Sequence, residues 1–284
     1  MVTLRELLTT KAVAAEPGFD ATALSEIPPG FRQGRGAWGG LIVGSFVDAA
    51  VNFIDNPELS PRSLTSHLLG PVPAGPATIS LTMLRRGSNT ATVSALMVAR
   101  EADREGQATG DPVVVADAVV VFGSARAADI DFTASRWQPQ PPPGALERGW
   151  RSVDVVGMPP GVAPEFLSQL VCRPVAGFPF SGIDSSETTG WVSPAEGVAA
   201  DAVVLAALAD AWWPASLVPI EGLRPAATLA FSLDIIGLPS TDEPLLHCGR
   251  VIAASEGYVA EVRELWSPDG RLLTLNQQTM VIIR

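Results

Sequence analysis

Two segments of this chain are apolar nearly all round. WGGLIVGSFVDAAVNFID, from Trp38 to Asp55, and VAADAVVLAALADAWWPAS, from Val198 to Ser216, show no strand alternation and are long enough for several helical turns. Their pattern predicts two buried helices. Each is followed by a set of shorter, strand-like segments. The first set is SLTSHLLG, ATISLTMLRRG, NTATVSALMVAR and PVVVADAVVVFG, and the second is AATLAFSLDIIG, LLHCGRVIAAS, YVAEVRELW and RLLTLNQQTMVIIR. Ile79, Leu81 and Met83 alternate with Thr78, Ser80 and Thr82, as in a sheet with one face covered. SPDG, between Glu264 and Arg271, marks a hairpin turn. One helix followed by hairpin-linked strands predicts an antiparallel sheet wrapped around that helix, an α+β arrangement.

The two sets mirror each other along the chain. Asp48 and Asp210 stand 162 residues apart, Ser66 and Ser232 166, Gly70 and Gly237 167, and Val119 and Met280 161. Drift of this size is what loop insertions produce, so an internal duplication is expected. Between the halves, RAADIDFTASRWQPQPPPGALERGW carries prolines at 139, 141, 142 and 143. Such a stretch continues neither helix nor strand and predicts an extended linker. The expected organisation is one unit at 1–125, a Pro-rich linker at 126–155, and a second unit at 156–284.

Composition narrows the function classes. With 47% hydrophobic and 17% charged residues, the chain fills a substantial core. A formal net charge of -11 argues against a broad nucleic-acid footprint but leaves room for a local cationic cluster such as Arg85-Arg86. Two cysteines and two histidines, without C-x-x-C or H-E-x-x-H spacing, predict neither a disulfide framework nor a zinc site. No apolar run reaches bilayer length, and MVTLRELLTTKAVAAEPG lacks the layout of a secretory signal, so a cytoplasmic location is expected. G-x-S-x-G elbows do not occur, nor do Walker-type phosphate loops or dinucleotide-binding G-x-G-x-x-G loops in a strand–turn–helix context.

Within the second apolar run, LAALADAWWPAS contains one acid, Asp210. An unpaired ionised carboxylate is costly in such a place. Either it is a helix-end carboxylate tied to backbone or to an arginine, or it is a general base partly withdrawn from solvent. Gly39-Gly40 opens the first helix, where glycine serves close packing or leaves N–H groups open to a developing negative charge. Asp48, the repeat-mate of Asp210, is expected to make a structural polar bond, and His247, Cys172 and Cys248 are expected to be structural too. Trp38, Trp212 and Trp213 read as core, although the wall of an acyl tunnel would look the same.

A helix wrapped by an antiparallel sheet, twice in one chain, resembles the double hot-dog fold. GAWGGLIVG, SLTSHLLGPVPAGPATISLTMLRRGSNTATVSALM, LAALADAWWP, AATLAFSL and DGRLLTLNQQ, in that order and spacing, resemble the acyl-CoA thioesterase II (TesB-like) family. The resemblance implies a hydrolase that splits an acyl-CoA into free acid and coenzyme A without metal or redox cofactor. It also implies a homodimer. In that family an Asp in the second helix, a Thr early in the next strand and a Gln in the last strand are catalytic; they fall here on Asp210, Thr228 and Gln278. The chain departs from the pattern where Ala230-Phe231 replaces Asp-His and Thr279-Met280 replaces Glu-Gly. Strand alternation turns Gln277 to the opposite face from Gln278. With that function, the helix start at Gly39 and Gly40 is a candidate for the thioester oxygen; His67 either touches substrate or is structural, and Arg85 and Arg86 either contact coenzyme A phosphates or form a solvated hairpin tip. A rival is a non-catalytic acyl-binding module on the same fold. A hot-dog hydratase needs a His with an Asp partner, and His67 shows no obvious one in sequence.

Overall fold

The computed structural model describes residues 2–127, 139–156, 163–199 and 201–283. In chain order the first half contains α1 (Leu4–Leu7), β1 (Lys11–Val13), β2 (Ala21–Ile27), β3 (Arg32–Gln33), β4 (Gly36–Ala37), α2 (Gly39–Ile54), β5 (Ser60–Leu68), β6 (Gly75–Arg86), β7 (Thr90–Ala102) and β8 (Ala108–Gly123). The second contains β9 (Leu170–Ala176), β10 (Glu187–Pro194), α3 (Ala202–Leu208), β11 (Ala226–Ile235), β12 (Leu245–Ser255), β13 (Tyr258–Trp266) and β14 (Leu272–Ile282). Twelve strands form one antiparallel sheet in the order β1-β2-β6-β7-β8-β5-β11-β14-β13-β12-β10-β9, and β3 and β4 pair separately. Each half contributes six strands, arranged outward from the middle in the same sequence. This is the expected double hot-dog: one sheet built twice around two helices.

The halves are joined at a seam between β5 and β11, where Leu64 pairs with Leu233, Ser66 with Phe231 and His67 with Ala230. Both helices lie against the inner face of the sheet. Leu41, Val43, Phe46 and Val47 of α2 are buried with Val204, Leu205 and Leu208 of α3 and with Ile79, Val93, Val120, Phe122, Phe231 and Leu233 of the strands. The two helices cross closely because of Gly40. A Cβ there would lie 2.2 Å from the Trp38 ring and 2.6 Å from the Ala207 carbonyl oxygen.

The structure departs from the sequence pattern in three respects. α3 ends at Leu208, well short of Ser216. Pro214 lacks an N–H and disfavours helical backbone at Trp213, so the segment tightens into bonds from Asp210 N–H to the Ala207 carbonyl and from Ala211 N–H to that of Leu208. A 3-10 turn at Ala215–Leu217 follows. Asp210 therefore sits just beyond a helix end.

The repeat offsets hold for elements and not for single residues. Ser66 is buried while Ser232 is exposed, and Val119 is exposed while Met280 is buried. A shift of one residue exchanges the faces of a strand. Within the expected linker, 128–138 fall outside the described residues, whereas 139–156 pack against the second half. Ala145 and Val153 join Trp191, Leu246, Cys248 and Trp266 in a small apolar cluster, and Trp191 Nε1 donates to the Arg148 carbonyl at 2.8 Å. The SPDG turn is present, closed by the Ser267 N–H on the Arg271 carbonyl. No helix among the described residues is long and apolar enough to cross a membrane.

Candidate active site

Asp210 is 6% exposed and lies where the end of α3 meets the start of α2. The position is fixed through both backbone and side chain. Trp38 Nε1 donates to the Asp210 carbonyl at 2.8 Å. A Cβ on Gly39 would lie 2.6 Å from Asp210 Oδ2, so only glycine lets the helix start approach the carboxylate this closely. Trp38 gives α2 no side-chain cap; the Leu41 N–H bonds the Trp38 carbonyl at 3.0 Å, and the Gly40 N–H is given to the Asp210 carboxylate.

From the sheet side, Gln278 Nε2 donates to Asp210 Oδ1 at 2.9 Å and to Asn276 Oδ1 at 2.9 Å. Gln278 Oε1 accepts the Thr228 hydroxyl at 2.8 Å. Alternation on β14 places Gln278 and Asn276 on the buried face and Gln277 on the exposed one. Thr228 reaches Gln278 from β11 at a register shift between Thr228 and Ala230, where an extra residue, Leu229, bends the strand. The three residues on which the family motif fell thus form one hydrogen-bonded row, Thr228 to Gln278 to Asp210.

Two charged residues that sequence reasoning passed over complete the cluster. Arg263 and Glu261 lie two apart on β13, both on its buried face, with side chains 2% and 0% exposed. Arg263 Nη1 lies 3.3 Å from Asp210 Oδ1 and donates to the Trp212 carbonyl at 3.2 Å, while Nε donates to Glu261 Oε1 at 2.9 Å. Glu261 Oε2 accepts the Ala215 N–H at 2.9 Å. With Glu264 beside them, Glu261 and Arg263 read in sequence as a solvated strand face, and only the sheet order shows that they are buried. Burial pushes the Asp210 carboxyl above its ordinary value; Arg263, Gln278 and the Gly40 N–H pull it down, and Glu261 adds to the push. His247 is buried nearby and stacks on Trp212 with ring centres 5.2 Å apart; burial and Arg263 hold its ring well below the usual value and therefore neutral.

Other expected contacts lie elsewhere. His67 projects from the outer face of β5, its side chain 52% exposed, on the opposite side of the sheet from Asp210. It does have a carboxylate partner, unseen in the sequence because it comes from another strand: Nδ1 is 2.8 Å from Asp117 Oδ1 on β8. Arg85 and Arg86 end β6 near the far end of α2, where Arg86 Nη2 donates to the Ile54 carbonyl at 3.0 Å. That contact favours the negative end of the helix dipole, and α2 puts about 24 Å between it and Gly39. Asp48 has the structural surroundings expected of it. Its carboxylate accepts the Thr10 N–H and hydroxyl at 2.7 and 2.8 Å and Asn52 Nδ2 at 3.0 Å, and pairs with Arg5 at 2.8 Å. Trp38, Trp212 and Trp213 are buried in the core, and both cysteines are buried free thiols that burial pushes up to about 12.

The family models for the acyl-CoA thioesterase N-terminal and C-terminal domains match residues 27–123 and 138–282. No curated protein sequence matches significantly. Among solved structures, a conserved protein of unknown function with a hot-dog fold from Alicyclobacillus acidocaldarius superposes with a TM-score of 0.76 at 22% identity, covering 98% of this chain and 97% of that one. The tesB protein of Mycobacterium avium subsp. paratuberculosis gives 0.72 at 14% identity, and the acyl-CoA thioesterase II of Mycobacterium marinum 0.68 at 16%, each covering 98% of this chain and 97% of the other.

Proposed function

The chain belongs to the acyl-CoA thioesterase family, and we propose that it hydrolyses the thioester of an acyl-CoA, fatty acyl groups being the expected class, with Asp210 as general base. One observation supports this above others: Thr228, Gln278 and Asp210 share a continuous hydrogen-bonded row beside an uncapped helix start. Gln278 spends both N–H bonds on Asp210 and Asn276, so its role is to orient the carboxylate. The Thr228 hydroxyl proton is committed to Gln278, which leaves the Thr228 oxygen free to accept from a water.

The water donates one proton toward Asp210 and the other toward Thr228, turning its lone pair toward the acyl carbon. Attack forms the C–O bond and moves the carbonyl electrons onto oxygen, where the Gly39 N–H and the positive end of the α2 dipole stabilise the charge. Collapse breaks the C–S bond; the departing thiolate takes the proton from Asp210 and leaves as the thiol, and the acid leaves as a carboxylate after releasing the water's second proton to solvent. A carboxylate whose affinity for protons is raised by burial, but which is still paired with Arg263, suits a base working near neutrality. A homodimer is the assembly that the resemblance implies.

The close pairing of Asp210 with Gln278 and Arg263, together with its burial, is the observation that favours the second reading, a non-catalytic acyl-binding module. One experiment separates the two: thiol release from a panel of acyl-CoAs by the wild type and by Asp210→Asn. Turnover lost in the variant supports the hydrolase. Binding of acyl-CoA without turnover by the wild type establishes the module instead.

A further inference from the structure

The described polar core around Asp210 contains two carboxylates and one guanidinium. Arg263 and Glu261 already form a complete pair, with Nε to Oε1 at 2.9 Å. Asp210 shares the same cation at a longer distance, 3.3 Å from Nη1. It is the surplus negative charge of the group, and a buried surplus charge is normally removed by protonation unless its neighbours hold it. The same two side chains also grip the segment that carries Asp210. Arg263 donates to the Trp212 carbonyl, two residues after Asp210, and Glu261 accepts the Ala215 N–H, five residues after it. Both come from the buried face of β13, next to the strand that bears Gln278.

We propose that Arg263, anchored by Glu261, is the positioning residue for the Asp210 carboxylate, fixing both its place and its charge state from behind the hydrogen-bonded row. The proposal rests on Asp210 being the general base. Unequal sharing is its central point: Glu261 takes the nearer end of the guanidinium, so Asp210 remains ionised yet incompletely neutralised and keeps its basicity. Among the described residues, the other groups facing Asp210 carry no charge. They are the Gly39-Gly40 backbone of α2, Thr228 of β11, Gln278 and Asn276 of β14, and, beyond Arg263, the neutral His247 of β12.

The test is the pH dependence of kcat/KM for acyl-CoA hydrolysis by the full chain and by two variants that alter opposite charges. Arg263→Gln removes the cation and is expected to move the acid limb up by roughly one pH unit or more. Glu261→Gln removes the competing anion and is expected to move the same limb down. Opposite displacements support the proposal, and acid limbs that coincide with that of the wild type in folded variants overturn it. Should Arg263→Gln fail to fold, Arg263→Lys keeps the charge and loses the fork. It is expected to hold the acid limb in place while lowering kcat about tenfold or more, and an unchanged kcat overturns the positioning role. Titration of the carboxyl carbon of Asp210 by 13C NMR, assigned by its loss in Asp210→Asn, reads the same shifts without turnover. A wild type that hydrolyses no acyl-CoA overturns the functional reading alone; Asp210 carbon titrations unmoved by either neutral variant overturn the role of Arg263.

Discussion

Gly39 and Gly40 are neighbours, yet the structure assigns them different duties that one added methyl group separates. A Cβ on Gly39 meets Asp210 Oδ2 at 2.6 Å and Leu68 Cδ1 at 3.3 Å, against an ordinary contact distance from 3.4 Å upward. Relief requires about 0.8 Å of movement, and the carboxylate is the end that can give. That displacement breaks or lengthens the 2.9 Å bond from Gln278, and misplacement of a reacting group by about 1 Å costs on the order of 100-fold in rate. Alanine also raises helix propensity by about 1 kcal/mol over glycine, which offsets the crowding at Leu68. Gly39→Ala is therefore expected to lose about 100-fold in kcat with Tm within a few degrees of wild type.

Gly40→Ala meets the Trp38 ring at 2.2 Å and the Ala207 backbone oxygen at 2.6 Å, neither of which can withdraw without separating α2 from α3. Overpacking of this kind costs about 1–3 kcal/mol, or roughly 3–10 °C in Tm for a chain of this size. The assays are thiol release from an acyl-CoA and calorimetric melting on both variants. Full kcat in a well-folded Gly39→Ala would refute the placement of Asp210 in the reaction. A larger loss of Tm in Gly39→Ala than in Gly40→Ala would refute the division of duties.

Three further outcomes follow from the same geometry. Asp210→Asn should lose about 100- to 10,000-fold in turnover yet melt at or above the wild-type temperature. With the carboxyl raised in the folded state, the native protein binds more protons, so wild-type stability falls as pH rises from the unfolded value of about 3.9 toward the folded one. The melting gap between variant and wild type should widen in that direction, and a gap that narrows would contradict it. Thr228→Val keeps the strand shape but strips Gln278 Oε1 of its donor; about 1–3 kcal/mol of stability and at least tenfold in kcat should be lost, measured by denaturant titration and turnover. Arg5→Ala unpairs Asp48, which is buried, and Asp201, which is half-buried, so Tm should drop by several degrees while kcat/KM stays put. A fall in kcat/KM without a change in Tm would place Arg5 in the reaction instead.

Much of the architecture was legible because periodicity survives where one face is buried. α2 and the strand sets β5–β8 and β11–β14 stand where the apolar pattern put them, since burial of a single face is the force that fixes register. β1, β2, β9 and β10 were not visible. They lie toward the sheet margins, and ETTGWVSP on β10 is interrupted by glycine and proline, so alternation never builds up. α3 was overestimated because apolarity continues past its end, and only Pro214 signals the stop. In the site, the residue types of Asp210, Thr228 and Gln278 could be matched to a motif in the chain. Arg263 and Asp117 could not, because their importance depends on which strand lies beside which. A charged residue in a strand looks solvated until its neighbours across the sheet are known.

The β5–β11 seam has a consequence for how the molecule could be divided. Gly39, Gly40 and Trp38 belong to one half, while Asp210, Thr228 and Gln278 belong to the other. Two separately made polypeptides, one ending after β8 and one beginning before β9, would each display one open strand edge, of β5 or of β11, whose natural partner is on the other fragment. Neither fragment alone carries the whole of the proposed reaction centre. Restored acyl-CoA turnover on mixing would thus report their reunion across the β5–β11 seam, and the activity would serve as a readout of whether two fragments have met.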